Sequence, residues 1–171
     1  MAITKLVTDS LGAGVGGKVL QVVSASKTDR QTTSSSNTWT DISGLSVSVT
    51  PSSTSNKILV LFTVNTAATI NGHSGIKLLR GSTDIFVGDV NGDNFRTFSS
   101  WRSMNDTQYH TQPLAGMFLD SPSTTSATTY KIQISGNDIV YVNRPSNFDS
   151  TVASVQRTAG SSSITVMEIA G

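Results

Sequence analysis

The chain has 171 residues, of which 13% are charged, and its formal net charge at pH 7 is +1. This length suits one domain with its own core, and the low charge excludes partners that need a strongly basic surface, so we expect no nucleic acid. No window reaches 18 apolar residues, so we expect no membrane insertion. The sequence has no cysteine, which excludes disulfides, thiolate metal sites and cysteine nucleophiles.

The N-terminal stretch, residues 1–17, combines a short apolar pattern with the glycine run GAGVGG. The apolar positions are Ile3, Leu6, Val7 and Leu11. We expect an attachment segment that a flexible glycine joint connects to a head domain at residues 18–171. The glycines also fit a dinucleotide-binding pattern, but the strand follows them instead of preceding them, which argues against nucleotide binding. The stretch has no apolar run typical of a signal peptide.

Beyond residue 17, short apolar and alternating blocks are separated by turn residues. We predict strands at residues 18–24, 39–42, 45–50, 57–65, 76–79, 85–87, 95–104, 114–119, 130–135, 139–142 and 164–169. Residues 26–38 are predicted to form a polar loop. About ten short strands separated by Gly, Pro and Ser turns, without helical periodicity, predict an all-β protein built as an antiparallel β-sandwich.

The most apolar uninterrupted stretch is KILVLFTVN at residues 57–65. We interpret it as the central strand of the sandwich. A strand that is apolar on both faces must be covered on both faces. We therefore expect a second sheet on one side, and another sheet or another subunit on the other.

The order of the blocks resembles the jelly-roll heads of C1q and TNF proteins. The resemblance rests on KILVLFTVN, then GIKLLRGSTDIFVG, then FLDSPSTTSATTYKIQISG, and the closing strand SSITVMEIAG. It implies a jelly-roll-like, C1q/TNF-like β-sandwich and a homotrimer, because three subunits of that superfamily pack about a threefold axis.

A second resemblance covers most of the chain. The blocks VLQVVSASKTDR, SVTPSSTSNKILV, GIKLLRGSTDI, FLDSPSTTSATTYKIQ and ITVMEIAG look like virion and tail-fibre proteins of tailed phages, especially those of marine cyanobacteria. The resemblance implies a virion structural protein: a short fibre or tip that residues 1–17 attach to a tail or capsid component, in contact with a host surface glycan or protein. A purely architectural capsid decoration or collar protein is the alternative, and a polysaccharide depolymerase is the less favoured one.

Aromatic and arginine side chains beside polar loops are the best candidates for receptor contact, because Trp, Tyr and Arg dominate binding hot spots. The candidates are Trp101, Arg102, Tyr109 and His110 around one loop, and Tyr141 and Arg144 around another. Trp101 also has a simpler interpretation, as a residue of the core or of a subunit interface.

Residues with catalytic or metal-binding chemistry are few and scattered. His73 and His110 are the only histidines, and we expect His73 to be an exposed loop residue. Glu168 is the only glutamate, and the aspartates fall mostly in predicted turns, where Asp is favoured for backbone reasons. We therefore expect no enzyme activity, no cofactor and no metal.

Overall fold

The fold is given by a computed structural model that describes residues 17–34, 36–104, 109–148, 151 and 158–171. These residues form eleven strands and no α-helix, and so contain no helix long and apolar enough to cross a membrane. The strands are β1 (Val19–Lys27), β2 (Gln31–Thr33), β3 (Thr40–Val49), β4 (Lys57–Ala68), β5 (His73–Arg80), β6 (Thr83–Phe86), β7 (Ser99–Arg102), β8 (Gln112–Asp120), β9 (Thr128–Gly136), β10 (Val140–Val142) and β11 (Ser162–Ile169). The predicted all-β character is confirmed.

The strands form two antiparallel sheets that face each other. In sheet A, β4 lies between β8 on one edge and β11 on the other, and β1 pairs with β11. The shorter β10 and β2 continue this sheet beside the last residues of β4. Sheet B has the order β3-β9-β5-β6, with β7 also paired to β5. The predicted antiparallel sandwich and the central place of residues 57–65 are confirmed.

The core lies between the sheets and follows from the two-residue period of a strand. In β4, Ile58, Val60, Phe62 and Val64 point inward and are at most 4% exposed. They pack in one cluster with apolar residues of sheet B: Ile76, Leu78, Ile132 and Ile134. Full burial of each such side chain contributes about 1.5–3 kcal/mol relative to exposure. This apolar layer holds the two sheets together.

Four predicted segments differ from the structure, each because strand pairing decided where a strand forms. The strands predicted at 39–42 and 45–50 are one strand, β3, with a bulge between Asp41 and Ser46 where Gly44 adopts a φ of +81° that favours glycine. The predicted loop 26–38 contains β2, which pairs with β10. The strand predicted at 95–104 is confined to β7, which is the part that pairs with β5.

The sandwich has two distinct ends. Gly17, the start of β4 and the end of β11 share one end, which we call the base, since Val19 pairs with Ile169 and Ile169 with Lys57. β4 ends, β5 begins and β10 lies at the opposite end, which we call the far end. The twelve residues of β4 separate the two ends by about 37 Å.

A buried carboxylate fastens the base. Glu168 is 1% exposed and accepts hydrogen bonds from Gln21 Nε2 (2.6 Å), the Ser52 backbone N (2.6 Å), Ser52 Oγ (2.8 Å) and Asn56 Nδ2 (2.5 Å). Burial raises the pKa of Glu168, but these hydrogen bonds outweigh it and lower the pKa from 4.5 to about 2. The charged form of this side chain therefore joins β1, β11 and the turn before β4.

A second buried carboxylate joins the two sheets. Asp120 of β8 accepts two hydrogen bonds from Arg80 Nη1 (2.9 Å each) and one from the Tyr130 hydroxyl (2.6 Å). Burial of Tyr130, together with its hydrogen bond to Asp120, raises the pKa of the phenol. Tyr130 is fully buried and stays neutral, so its hydroxyl is a permanent donor across the core.

Acidification is expected to weaken the fold through Glu168. Because the folded-state pKa lies below the unfolded value, its stabilisation is complete above pH 4.5 and is lost as the pH falls toward 2. Chemical unfolding measured between pH 7 and pH 2.5 should show this loss, and Glu168→Gln should be less stable at pH 7 and less sensitive to acid in this range. An unchanged pH dependence in Glu168→Gln would contradict the assignment.

Tyr130→Phe is expected to lower the free energy of unfolding by about 1.5–3 kcal/mol, because Asp120 loses a donor to a charged group. Tyr141→Phe is the matched control, since the Tyr141 hydroxyl donates to no residue in the described part of the chain. Equal losses of stability in the two variants, measured by urea unfolding, would argue against the hydrogen bond across the core.

Candidate functional site

The far end contains all six residues nominated as receptor contacts. β7, which carries Trp101 and Arg102, pairs with the first residues of β5. Tyr109 and His110 precede β8, whose first residue pairs with Thr66 near the end of β4. Tyr141 pairs with Ala67, and Arg144 follows β10. The nominated attachment residues, Ile3, Leu6, Val7 and Leu11, lie outside the described residues.

The residues nominated around the first loop are only partly exposed. Trp101 packs against the core, and its indole Nε1 donates to Thr66 Oγ1 at 2.9 Å. Arg102 and His110 are exposed, and Tyr109 is half-buried. Trp101 therefore supports the far end from inside, and the residues that offer side chains to solvent here are Arg102, Tyr109 and His110.

The second nominated loop forms a layered cluster of rings and guanidinium groups. The Arg144 guanidinium lies 4.7 Å from the Tyr141 ring centroid and 5.3 Å from that of Phe148. Arg30 lies 4.2 Å over the same Phe148 ring. Arg144 also donates to the backbone oxygens of Pro145 and Ser146, both at 3.1 Å. Tyr141 is only 9% exposed, so this loop presents ordered arginines instead of a bare tyrosine.

A cavity that the sequence did not indicate lies on the outer face of sheet B at the far end. Its volume is about 240 Å³. Its lining includes Asn37, His73, Phe95, Thr97, Ser135 and Asn137. Among the described residues that line it, none is Asp, Glu, Lys or Arg. His73 is the first residue of β5 and is exposed, whereas the sequence predicted a loop position. The cavity therefore combines apolar and polar surface without a formal charge from these four residue types.

The floor of this cavity contains a buried hydroxyl. Ile132 and Ile134 face the core, so Ser135, the next residue of β9, faces outward, beside its cross-strand partner Gly75. Ser135 is 1% exposed, and its Oγ has no hydrogen-bond partner among the described residues. Gly75 permits a close approach, because a Cβ there would lie 2.9 Å from Thr97 Cγ2.

One wall of the cavity is a fixed aromatic ring. Phe95 stacks on Trp39 with ring centroids 4.8 Å apart and planes 6° apart. Lys77 Nζ lies 4.7 Å from the Trp39 ring centroid and pairs with Asp84 at 2.9 Å. These contacts hold Trp39 in place, and Trp39 in turn fixes the orientation of Phe95 beside the cavity.

Three of the described aspartates form ion pairs across strands of the fold. Asp41 pairs with Lys131 at 2.8 Å, Asp84 with Lys77, and Asp120 with Arg80. Across the described ranges, no group of three His, Asp or Glu residues is placed to hold a metal ion. The far end brings together aromatic rings, amides, hydroxyls and arginines.

Sequence reasoning missed the cavity because its residues come from four separate segments. Asn37, His73, Phe95 and Ser135 are brought together by the pairing of β5 with β9 and by the covering segment before β7. No local pattern marks Ser135 as different from the other serines of the chain. The one local signal was Phe95, an apolar residue in a polar stretch, and it was assigned to a strand.

Comparison with known proteins gives no identity to this chain. A scan against protein-family models found no match, and a search of curated proteins found no significant relative.

Proposed function

We propose that the protein is a non-enzymatic virion structural protein, a trimeric jelly-roll head that forms a short fibre or tip on a tailed phage. Its N-terminal segment attaches it to a tail or capsid component, and its far end faces the host surface. The observation that carries the proposal is an apolar outer face on sheet A, which suits packing against further copies of the chain.

The strand order supports the jelly-roll part of the proposal. Sheet A contains the order β1-β11-β4-β8, and sheet B the order β3-β9-β5-β6. Within each sheet, the first four of these eight strands in chain order thus alternate with the last four, as in the double Greek keys of jelly rolls. Viral capsid domains and lectins use this architecture, which is an analogy of fold and not of activity.

The sheet A face is the set of side chains that point away from the core on four adjacent strands. It consists of Val22, Leu59, Leu61, Met117, Leu119 and Met167. Three of them are more than half exposed: Val22 at 55%, Met117 at 63% and Leu119 at 54%. In register, Val22 lies opposite Met167, Met167 opposite Leu59, and Leu59 opposite Leu119. A contiguous apolar row of this kind marks an interaction surface, whereas isolated exposed apolar residues do not.

The outer face of sheet B has the opposite character. Lys131 and Gln133 both donate to Asp41, at 2.8 and 2.7 Å, and Ser48 shares a hydrogen bond with Thr129 at 2.7 Å. Polar cross-strand pairs of this kind are stable in water. The two outer faces are therefore not equivalent, and only sheet A gains substantially from being covered.

The partner that we propose for the sheet A face is another copy of this chain. The six side chains of the face are uncharged, and the net charge of the chain is only +1, so identical copies approach with little repulsion. The number three comes from the resemblance to C1q and TNF heads. Packing of sheet A about an axis would leave both ends of each sandwich open, the base for attachment and the far end for contact.

The assembly is tested by substitution on the two outer faces. The wild type is expected at about three times the 18.0 kDa chain mass by light scattering at micromolar concentration. Met117→Glu should give the single-chain mass, because each interface would bury an uncompensated carboxylate. Ser46→Glu, an equal change of charge on sheet B beside Lys131, should leave the assembly intact. A monomeric wild type would contradict the trimer.

The virion role is tested on purified phage particles. Antibody fragments raised against the exposed far-end residues Arg102 and His110 should label the particle and reduce adsorption to host cells. Labelling with unchanged adsorption would select the architectural decoration or collar protein instead. The absence of the protein from purified particles would contradict both.

A further inference from the structure

We propose that the cavity on the outer face of sheet B binds one neutral sugar residue, with the Phe95 ring as its stacking surface and the buried Ser135 hydroxyl at its floor. Neither Arg102 nor Arg144 lines this cavity, although Arg102 is the cross-strand neighbour of its lining residue His73. The sugar proposal depends on the proposed function in one respect: contact with a host surface would make a host glycan the source of the sugar.

The volume of the cavity matches that of a single sugar ring. Its 240 Å³ equals the share of about eight water molecules at roughly 30 Å³ each. That space accommodates one pyranose ring. A longer glycan would enter with one residue and leave the remainder in solvent at the far end.

The Ser135 hydroxyl is the strongest sign of a ligand. A buried hydroxyl without a partner costs about 1–3 kcal/mol, and alanine at this position would avoid that cost. The Ser135 Oγ exposes less than 1 Å² of surface, so a ligand hydroxyl would supply the missing partner after a small shift of the side chains that cover it. Sugars carry hydroxyls around the whole ring. One of them could therefore form a hydrogen bond with the Ser135 hydroxyl at the floor of the cavity.

The wall and rim complete the match to a neutral sugar. The face of the Phe95 ring carries partial negative charge and attracts the polarised C–H bonds of a pyranose. Asn137 Oδ1 accepts a hydrogen bond from the His73 backbone N at 2.6 Å, which fixes the amide and directs its NH₂ group as a donor. Without a lysine or arginine among its described lining residues, the cavity offers no partner for an acidic sugar.

The position of the cavity keeps it accessible in the proposed assembly. It lies on sheet B, whereas the sheet A face is the proposed contact between copies. It also lies at the far end, away from the base from which the N-terminal segment leaves. A sugar bound there would be presented outward by every copy.

The experiment is an NMR titration that follows the two tryptophan indole signals of the chain. The probes are methyl glycosides of glucose, galactose, mannose and N-acetylglucosamine, with glucuronate as the charged comparison. At least one neutral glycoside should shift the Trp39 signal, because Trp39 stacks on Phe95, with a dissociation constant on the order of 1 mM. The Trp101 signal should stay unchanged, because its indole faces the core.

Two serine variants form a matched pair. Ser135→Ala should weaken binding about three- to tenfold, the effect of one hydrogen bond between uncharged groups, without lowering the unfolding temperature. Ser74→Ala removes the other buried hydroxyl without a partner; Ser74 also borders the cavity, but its side chain faces the core, so affinity should not change. Phe95→Ala should weaken binding about tenfold.

No shift of the Trp39 signal with any neutral glycoside would overturn the proposal, as would equal affinities of Ser135→Ala and the wild type. The second result would mean that the buried hydroxyl is satisfied by water alone. Met117→Glu should bind the same glycoside with unchanged affinity. Failure of sugar binding and failure of assembly are therefore measured separately.

Discussion

The pairing of β4 on both of its edges is the constraint on which the rest of the fold depends. Its ladders to β8 and β11 fix sheet A, and its inward residues from Ile58 to Val64 belong to the apolar layer that receives sheet B. Because a strand alternates, burial of one set of residues necessarily turns Leu59 and Leu61 to the other side. The exposed sheet A face is thus a direct consequence of the same strand that builds the core.

The outer faces of the two sheets differ in polarity. On the outer face of sheet B, polar side chains around Asp41 and Thr129 form hydrogen bonds with one another across the strands. This face is therefore stable in water without a partner. Sheet A is apolar where sheet B is polar, and is better stabilised when covered. At the ends, buried carboxylates close the base at Glu168 and Asp120, whereas the far end carries the exposed arginines and the cavity. Attachment, assembly and recognition are in this account assigned to separate surfaces of one sandwich.

Much of the fold was predictable because alternation and turn residues are local. The two-residue period predicts the strands around Val47 and Ile132, and the glycine predicts the turn at Gly81. β2 was missed because its sequence, Gln-Thr-Thr, has no apolar alternation and becomes a strand only beside β10. Phe95 was assigned to a strand because its residue types suit one, but the chain before Ser99 has no ladder partner. The cavity needed the register of β5 against β9, which no single segment contains.

The central claim, that the sheet A face is covered by other copies, is tested most directly by comparing two methionines. Met117 on that face and Met104 at the far end are almost equally exposed in the single chain, at 63% and 64%. Oxidation of the native protein with dilute peroxide, followed by mass spectrometry of its peptides, measures both rates in one sample. The account predicts that Met104 is oxidised many times faster than Met117. Equal rates would contradict it, because they would mean that the sheet A face remains open to water.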